Sequence, residues 1–335
     1  MSVLVHNWRT GSTGRKYDLG LPATLAQCRG RRKGFMASQR SDDEFALLPE
    51  TAADLGLEPT AVPIVQRVGT EIRDDLHVSS LQWGTERPRV VFLHGRGQNA
   101  HTWDSLILAL GLPALAVDLP GHGHSSWRAD SDYSPWTTAD AVAHAVRRWA
   151  PDAETVVGAS LGGLTTIRLT AIVPELVRRA IIVDVTPSAP QRHREMTGTE
   201  RGATTLIQGP DSFDSFDEIV ELAAAASPQR SRASIRRGVV HNTRQRPDGR
   251  WVWRYDRHDS GRDTTPLWED LAGIQVPLTL IRGGASRFVT DADVDEVRRR
   301  NPAARILAVP GAGHSVHGDA PRELAELIGA SLETV

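Results

Sequence analysis

The stretch Gly158-Ala159-Ser160-Leu161-Gly162 constrains this chain more than any other. It follows a β-type run, Glu154-Thr155-Val156-Val157, and opens a helical pattern from Leu164 to Ala171. A serine with glycine two residues before and two residues after it, between a strand and a helix, is the nucleophile-elbow pattern. The turn is so tight that a side chain at either glycine would collide with the neighbouring strand or helix. Ser160 Oγ is thereby lifted clear of the backbone. The helix N-terminus beneath it supplies N–H groups and partial positive charge, which suit a developing oxyanion. Glycine-serine turns also arise without such a role, so the reading depends on the surrounding chain.

The surroundings alternate strand and helix. Residues 37–62 mix acids, alanine and proline and read as chain that wraps the surface; two β-type runs, Ile64–Ile72 and His77–Trp83, then flank a turn at Asp74-Asp75. Arg89 to His94 is a continuous apolar run of strand length, as a parallel strand buried on both faces requires. It ends in His94-Gly95-Arg96-Gly97-Gln98-Asn99, and a helix with Trp103, Leu106, Ile107 and Leu110 on one side follows. Pro113 to Val117 is the next strand, ending in the tight loop from Asp118 to Ser125. Thr137 or Thr138 can cap a helix that runs to about Ala150. After the elbow, Ala180–Val185 reads as a strand, stopped by Thr186-Pro187. This rhythm predicts a parallel sheet with helices on both faces.

The rhythm breaks at residues 188–250, which are polar, rich in arginine and helix-prone, most clearly at Ala223–Ala226 and Ile235–Val240. Trp251 to Asp256 reads as an extended segment returning to the core. Pro277–Arg282 is then a strand, Asp291–Arg300 a helix, Arg305–Val309 the last strand, and Arg322–Leu332 the final helix. Between the last two lies the loop Gly311-Ala312-Gly313-His314-Ser315-Val316-His317.

With these residues in view, the chain resembles the α/β-hydrolase fold family over roughly residues 75–335. Four motifs stand in the family's order at the ends of predicted strands: His94-Gly95, Asp118 to Ser125, Gly158 to Gly162, and Gly311-Ala312-Gly313-His314. The resemblance implies an α/β fold with a mostly parallel eight-stranded sheet flanked by helices. It also implies a helical cap inserted between the sixth and seventh strands of that sheet, and chemistry of the serine–acid–histidine kind. The expected organisation is a disordered N-terminal extension over 1–45, a core over 60–187 and 255–335, and a cap or lid over 188–254.

Ser160 is the expected nucleophile, and a neutral hydroxyl needs a base within hydrogen-bond reach. Of the 12 histidines, His314 is the one on a glycine-rich loop directly after the last predicted strand, which puts it at the carboxyl edge of the sheet beside the elbow. His317 suits a loop-capping role better. His122 and His124 invite a metal reading, but no third ligand falls at a usual spacing. The oxyanion hole needs two backbone N–H groups, expected from Leu161 and from Arg96. The acid stays open. The family's usual place is the loop after the seventh strand, which here reads Gly283-Gly284-Ala285-Ser286-Arg287 and has no aspartate. Some bacterial esterases that this chain resembles carry the acid after the sixth strand, with the same Gly-Gly-x-Ser sequence. That makes Asp184 the preferred acid and Asp291 the alternative, with Asp256 a more distant third. Asp291 also has a plain explanation as a helix-capping residue.

The expectation is a serine hydrolase that cleaves a small or medium carboxylic ester through an acyl-enzyme on Ser160, with neither cofactor nor metal. A non-catalytic ligand-binding protein or receptor on the same fold is the alternative from another class, favoured by the missing aspartate after the seventh strand. Hydrolysis of a thioester or of a C–C bond stays open, as does a non-hydrolytic enzyme using the same pocket. A formal charge of −2, from 39 basic and 41 acidic residues, gives no basic face for nucleic acid or anionic membrane. No apolar run reaches the roughly 18 residues that span a bilayer. The single cysteine, Cys28, has no internal partner, and both lysines, Lys16 and Lys33, also precede Met36. Residues 1–35 carry seven basic residues and one acidic one, without the apolar centre of a secretory signal. They read as a tail ahead of a working start at Met36, in a cytoplasmic monomer or homodimer.

Overall fold

The computed structural model describes residues 43–197, 209–258 and 261–333. The expected extension lies outside the described residues up to position 42. Glu44, by contrast, is held by Arg67 and His101.

Eight strands form one sheet. They are β1 (Val65–Arg73), β2 (Leu76–Trp83), β3 (Val90–Leu93), β4 (Ala114–Val117), β5 (Thr155–Ala159), β6 (Ala180–Val183), β9 (Leu278–Gly283) and β10 (Arg305–Val309). Their spatial order is β1-β2-β4-β3-β5-β6-β9-β10. β2 pairs antiparallel with β1 and with β4, and every other pairing in this sheet is parallel. The strand direction explains the apolar runs. Val90 and Phe92 face one layer while Val91 and Leu93 face the other, and Ile181 and Ile182 divide likewise. Both faces are therefore buried, and the alternation of a half-exposed strand is absent.

One layer contains α3 (Pro135–Trp149), α4 (Leu161–Ile172), α8 (Leu267–Ala272) and α9 (Asp291–Arg300). The other contains α1 (Leu48–Asp54), α2 (Asp104–Leu110) and α11 (Pro321–Glu333). Two boundaries differ from the sequence expectation. Residues 37–62 read as surface chain, yet Leu48, Ala52 and Leu55 recur at helical spacing and bury against the second layer. α3 starts at Pro135 rather than at Thr137 or Thr138, because proline at the first helical position has its φ preset and lacks an N–H that would go unpaired.

Between β6 and β9 lies an insert containing α5 (Ala189–Glu195), α6 (Phe216–Ala226), α7 (Arg232–Asn242) and a hairpin of β7 (Thr243–Gln245) with β8 (Trp251–Trp253). Trp251–Trp253 therefore pairs within the insert before the chain returns to the sheet. Phe213, Ile219, Ile235, Val239, Trp253 and Tyr255 form its own apolar cluster. Phe213 packs edge-on against Trp253, rings 5.5 Å apart, which explains why that segment stays with the insert. α10 (Val316–Asp319) is a single turn between the His314 loop and α11.

Candidate active site

Ser160 joins β5 to α4 at φ 51° and ψ −118°. Such a conformation is sparsely populated for a residue with a side chain and persists because the surroundings over-determine it. Here the surroundings are backbone. Ser160 N–H donates to Val183 O at 3.2 Å, and Gly162 N–H donates to His94 O at 3.0 Å. A Cβ at Gly162 would lie 2.0 Å from Leu93 O, and one at Gly158 would lie 2.2 Å from Gly162 O. Both glycines of the motif are thus needed for close approach. Leu161 opens α4, so its N–H has no acceptor within the helix.

His314 and Asp184 meet. His314 Nδ1 lies 2.8 Å from Asp184 Oδ2. Asp184 sits just past β6 at φ 50°, fully buried, with its own N–H on Ile281 O at 2.8 Å. Its Oδ1 accepts from Gly283 N–H at 2.9 Å, and its Oδ2 also accepts from Ser286 Oγ at 2.5 Å. An acceptor-only carboxylate facing Nδ1 puts the imidazole proton on Nδ1 and leaves the Nε2 lone pair available. Phe288 stacks flat on the His314 ring, centroids 3.5 Å apart. The loop after β9, which lacks the aspartate, thus contributes three contacts: a backbone donor and a hydroxyl to Asp184, and an aromatic face to His314. In the sequence Gly283-Gly284-Ala285-Ser286 stands out by its glycines alone, and nothing local marks Ser286 or Phe288.

Asp291 is engaged elsewhere. It starts α9, is exposed, and pairs with Arg282 at 2.6 Å. Asp256 accepts from Tyr133 OH at 2.6 Å. The carboxylate that meets His314 is on the loop after β6, where β5, β6 and β9 run parallel and deliver Ser160, Asp184 and Gly283 to one sheet edge.

The loop after β3 is fixed from its first residue. His94 is fully buried, and desolvation lowers its pKa, so the ring is neutral. Nε2 accepts from Leu119 N–H at 3.0 Å, which leaves the proton on Nδ1 to donate to Gly95 O at 2.8 Å. Gln98 N–H reaches the same carbonyl at 3.2 Å. In a trans peptide the next N–H points opposite to the carbonyl. The Arg96 N–H is therefore directed away from both donors, in a loop whose Gly95 abuts Ser160. Gln98 also closes the loop with its side chain: Oε1 accepts from Gly95 N–H at 2.9 Å and Nε2 approaches His317 Nε2 at 3.2 Å. Burial lowers the His317 pKa to about 3, so it is a neutral acceptor. The Arg96 guanidinium turns to the carbonyls of Arg257, at 3.0 Å, and His258. The chain leaving the insert thus holds this guanidinium.

Ser160 and His314 line one cavity of about 160 Å³. Leu161, Leu164, Val185, Ala189 and Phe288 give it an apolar wall, and Arg96, Arg194 and Arg262 also line it.

His122 is buried and its pKa is pushed down to about 3, chiefly by desolvation. Its Nδ1 bonds Pro120 O at 2.9 Å, so it holds the loop after β4 together. Among the described residues, one group has the proximity of metal ligands: His101, Asp104 and His241. Its two rings stack 3.7 Å apart at 14°. Their in-plane lone pairs lie in parallel planes and do not converge on one ion. Asp104, at 2.9 Å, and Glu44, at 3.0 Å, flank the two nitrogens of His101 instead. Burial alone would lower its pKa, but those two carboxylates outweigh it and raise it to about 9.

The model of the alpha/beta hydrolase family matches residues 90–327. Esterase Rv0045c of Mycobacterium tuberculosis is 50% identical over 293 residues, covering 87% of this chain and 96% of that protein. A crystal structure of the same esterase superposes with a TM-score of 0.76 at 48% identity, covering 87% of this chain and 98% of the other. The sn-1-specific diacylglycerol lipase ABHD11 of Mus musculus is 29% identical over 257 residues, covering 72% of this chain and 80% of the lipase. The chain belongs to the alpha/beta hydrolase family.

Proposed function

From that membership, we propose that this chain is a serine esterase that cleaves carboxylic esters with a short acyl group through an acyl-enzyme on Ser160. The observation that carries the reading is the 2.8 Å contact of His314 Nδ1 with Asp184, on a histidine that lines the same cavity as the strained serine. His314 is the base and Asp184 the acid that orients it. The N–H groups of Leu161 and Arg96 form the oxyanion hole.

The steps are those of a serine–histidine–acid triad. Ser160 Oγ attacks the ester carbonyl and His314 Nε2 takes its proton. Asp184 stabilises the imidazolium, and the two N–H groups receive the oxyanion. The C–O bond to the alcohol breaks as His314 returns the proton to the leaving oxygen. Water then attacks the acyl-enzyme by the same route, releases the carboxylic acid and restores Ser160. A 50% identical esterase supports ester over other acyl substrates. Under this reading residues 188–254 act as a cap over the pocket.

Cavity size supports a small acyl group. An apolar cavity of about 150 Å³ holds benzene, with its six heavy atoms. The 160 Å³ beside Ser160 suits an acyl chain of about four to six carbons.

The test is hydrolysis of a p-nitrophenyl ester series, from acetate to laurate, by the wild type and by Ser160→Ala. The expected result is a maximum at butyrate to hexanoate and a loss of about 10⁴–10⁶ in kcat in the variant. Equal rates in the two proteins would remove Ser160 as nucleophile, and a maximum at laurate would refute the size argument.

A further inference from the structure

The loop that carries Arg96 is gripped by the insert as well as by the core. Asn242, the last residue of α7, donates from Nδ2 to Gly97 O at 2.6 Å, and its Oδ1 accepts from Asn99 Nδ2 at 3.2 Å. The orientation of these amides is determined by the backbone. His101 N–H occupies Asn99 Oδ1 at 2.9 Å, so the Asn99 nitrogen must face Asn242. The Asn242 oxygen is then the acceptor, and its nitrogen must face Gly97. Asn242 is itself anchored. Its carbonyl accepts from Arg254 N–H at 2.9 Å, and Arg237 ties α7 to Glu50, at 2.6 Å, and Asp54 of α1.

Gly97 needs such a hold. It has φ 72°, in the left-handed region where glycine moves freely. Its neighbours Gly95 and Gln98 are fixed by core contacts, but the Gly97 carbonyl has its side-chain donor in the insert. The Gly97 carbonyl shares one peptide plane with the Gln98 N–H, which donates to Gly95 O; rotation at Gly97 would tilt that plane, loosen Gly95 O and with it the Arg96 N–H on the same peptide. Stabilisation of an oxyanion is steep in donor placement, and a lost donor costs about 10²–10³ in kcat.

We infer that Asn242 is a positioning residue for the oxyanion hole, through which the insert sets the loop after β3 as well as bordering the pocket. This rests on the serine-esterase reading above. Asn242 touches no reacting atom; it acts through Gly97.

The experiment compares wild type, Asn242→Ala and Asn242→Asp on p-nitrophenyl butyrate, with rates normalised to the sites labelled at completion by a fluorophosphonate. Normalisation removes any misfolded fraction. Asn242→Ala should lower kcat about 10–100-fold with KM within about threefold. A trifluoromethyl ketone, which forms the oxyanion on the serine, should weaken in step with kcat, while butyrate as product inhibitor should not. Asn242→Asp adds a second handle. Ionised, it presents only acceptors to Gly97 O; protonated, it can donate again. Its kcat should therefore fall at least as far as that of Asn242→Ala at pH 8, where the carboxylate is ionised. Site-normalised kcat within twofold of wild type in both variants would overturn the inference. So would a loss confined to KM. If the wild type is not labelled on Ser160, the esterase reading falls first and this one with it. A labelled wild type with unaffected variants refutes this one alone.

Discussion

Asp184→Asn is the most demanding perturbation of the proposed triad, because the structure dictates what the amide must do. The side chain is fully buried, and its two oxygens have different donors: Gly283 N–H on Oδ1, and Ser286 with His314 on Oδ2. A backbone N–H cannot turn round. With the amide oxygen kept on Gly283, the NH₂ faces His314 Nδ1. The imidazole must then accept there and carry its proton on Nε2, where it cannot take one from Ser160. The flipped amide sets NH₂ against Gly283 N–H and strands a buried donor, at about 1–3 kcal/mol. Even then a neutral oxygen stabilises the imidazolium far less than a carboxylate does. The expected loss is about 10³–10⁴ in kcat, equal to about 4–5.5 kcal/mol at 1.36 kcal/mol per decade. Asparagine tolerates the left-handed backbone at φ 50°, so stability should hold. The assay is initial rate on p-nitrophenyl butyrate beside a thermal melt, with Asp291→Asn as control. Because Asp291 is spent on Arg282 at the surface, that control should stay within about twofold. An Asp184→Asn enzyme with more than about a tenth of wild-type kcat, or an equal loss in Asp291→Asn, would refute the assignment.

Three further outcomes are expected. Ser286→Ala removes one hydrogen bond to the Asp184 carboxylate and should lower kcat about tenfold with KM unchanged; steady-state kinetics showing no change would leave Ser286 as loop structure only. Gly162→Ala places a methyl 2.0 Å from Leu93 O, a backbone atom that cannot give way, so denaturant melts should report a loss of about 3 kcal/mol or more, and a melt like the wild type's would show that the elbow relaxes. His101→Gln tests the buried imidazolium between Glu44 and Asp104. Folding raises the His101 pKa from near 6.5 to about 9, so its stabilisation is whole below pH 6.5 and lost as pH rises through 9. The gap between wild type and variant should be on the order of 3 kcal/mol at pH 6 and shrink by pH 9.5; a pH-independent gap would mean that His101 folds in as a neutral ring.

Why the proposed acid was ambiguous in the sequence, while the proposed serine and histidine were not, follows from how each is specified. Ser160 is announced by local covalent necessity: Gly158 and Gly162 are forced by backbone atoms within about 2 Å of where a Cβ would stand. His314 is announced by strand order, since it follows the last apolar run and β10 lies beside β9. Asp184 carries no such local mark. An aspartate before Thr186-Pro187 at a strand end reads equally well as a turn residue. What selects it is a contact across 130 residues to His314, made possible because β6 sits between β5 and β9 in the sheet. The same limit hid Gln98 and Asn242, whose roles are set by partners 219 and 145 residues away. It also hid α1, where a short amphipathic period among acids and prolines passed for surface chain until Leu48, Ala52 and Leu55 found the second layer. Apolar periodicity and glycine positions record what a segment demands of its own backbone. Which polar side chain serves which distant loop is recorded only by the packing. The strand order supplies the sheet edge, and the loops along it can trade the acid between β6 and β9 so long as the carboxylate still reaches Nδ1. Under the proposed assignment Asp184 together with Ser286 is such a trade: the β9 loop that lacks the aspartate still holds Asp184, through one hydroxyl and one backbone N–H.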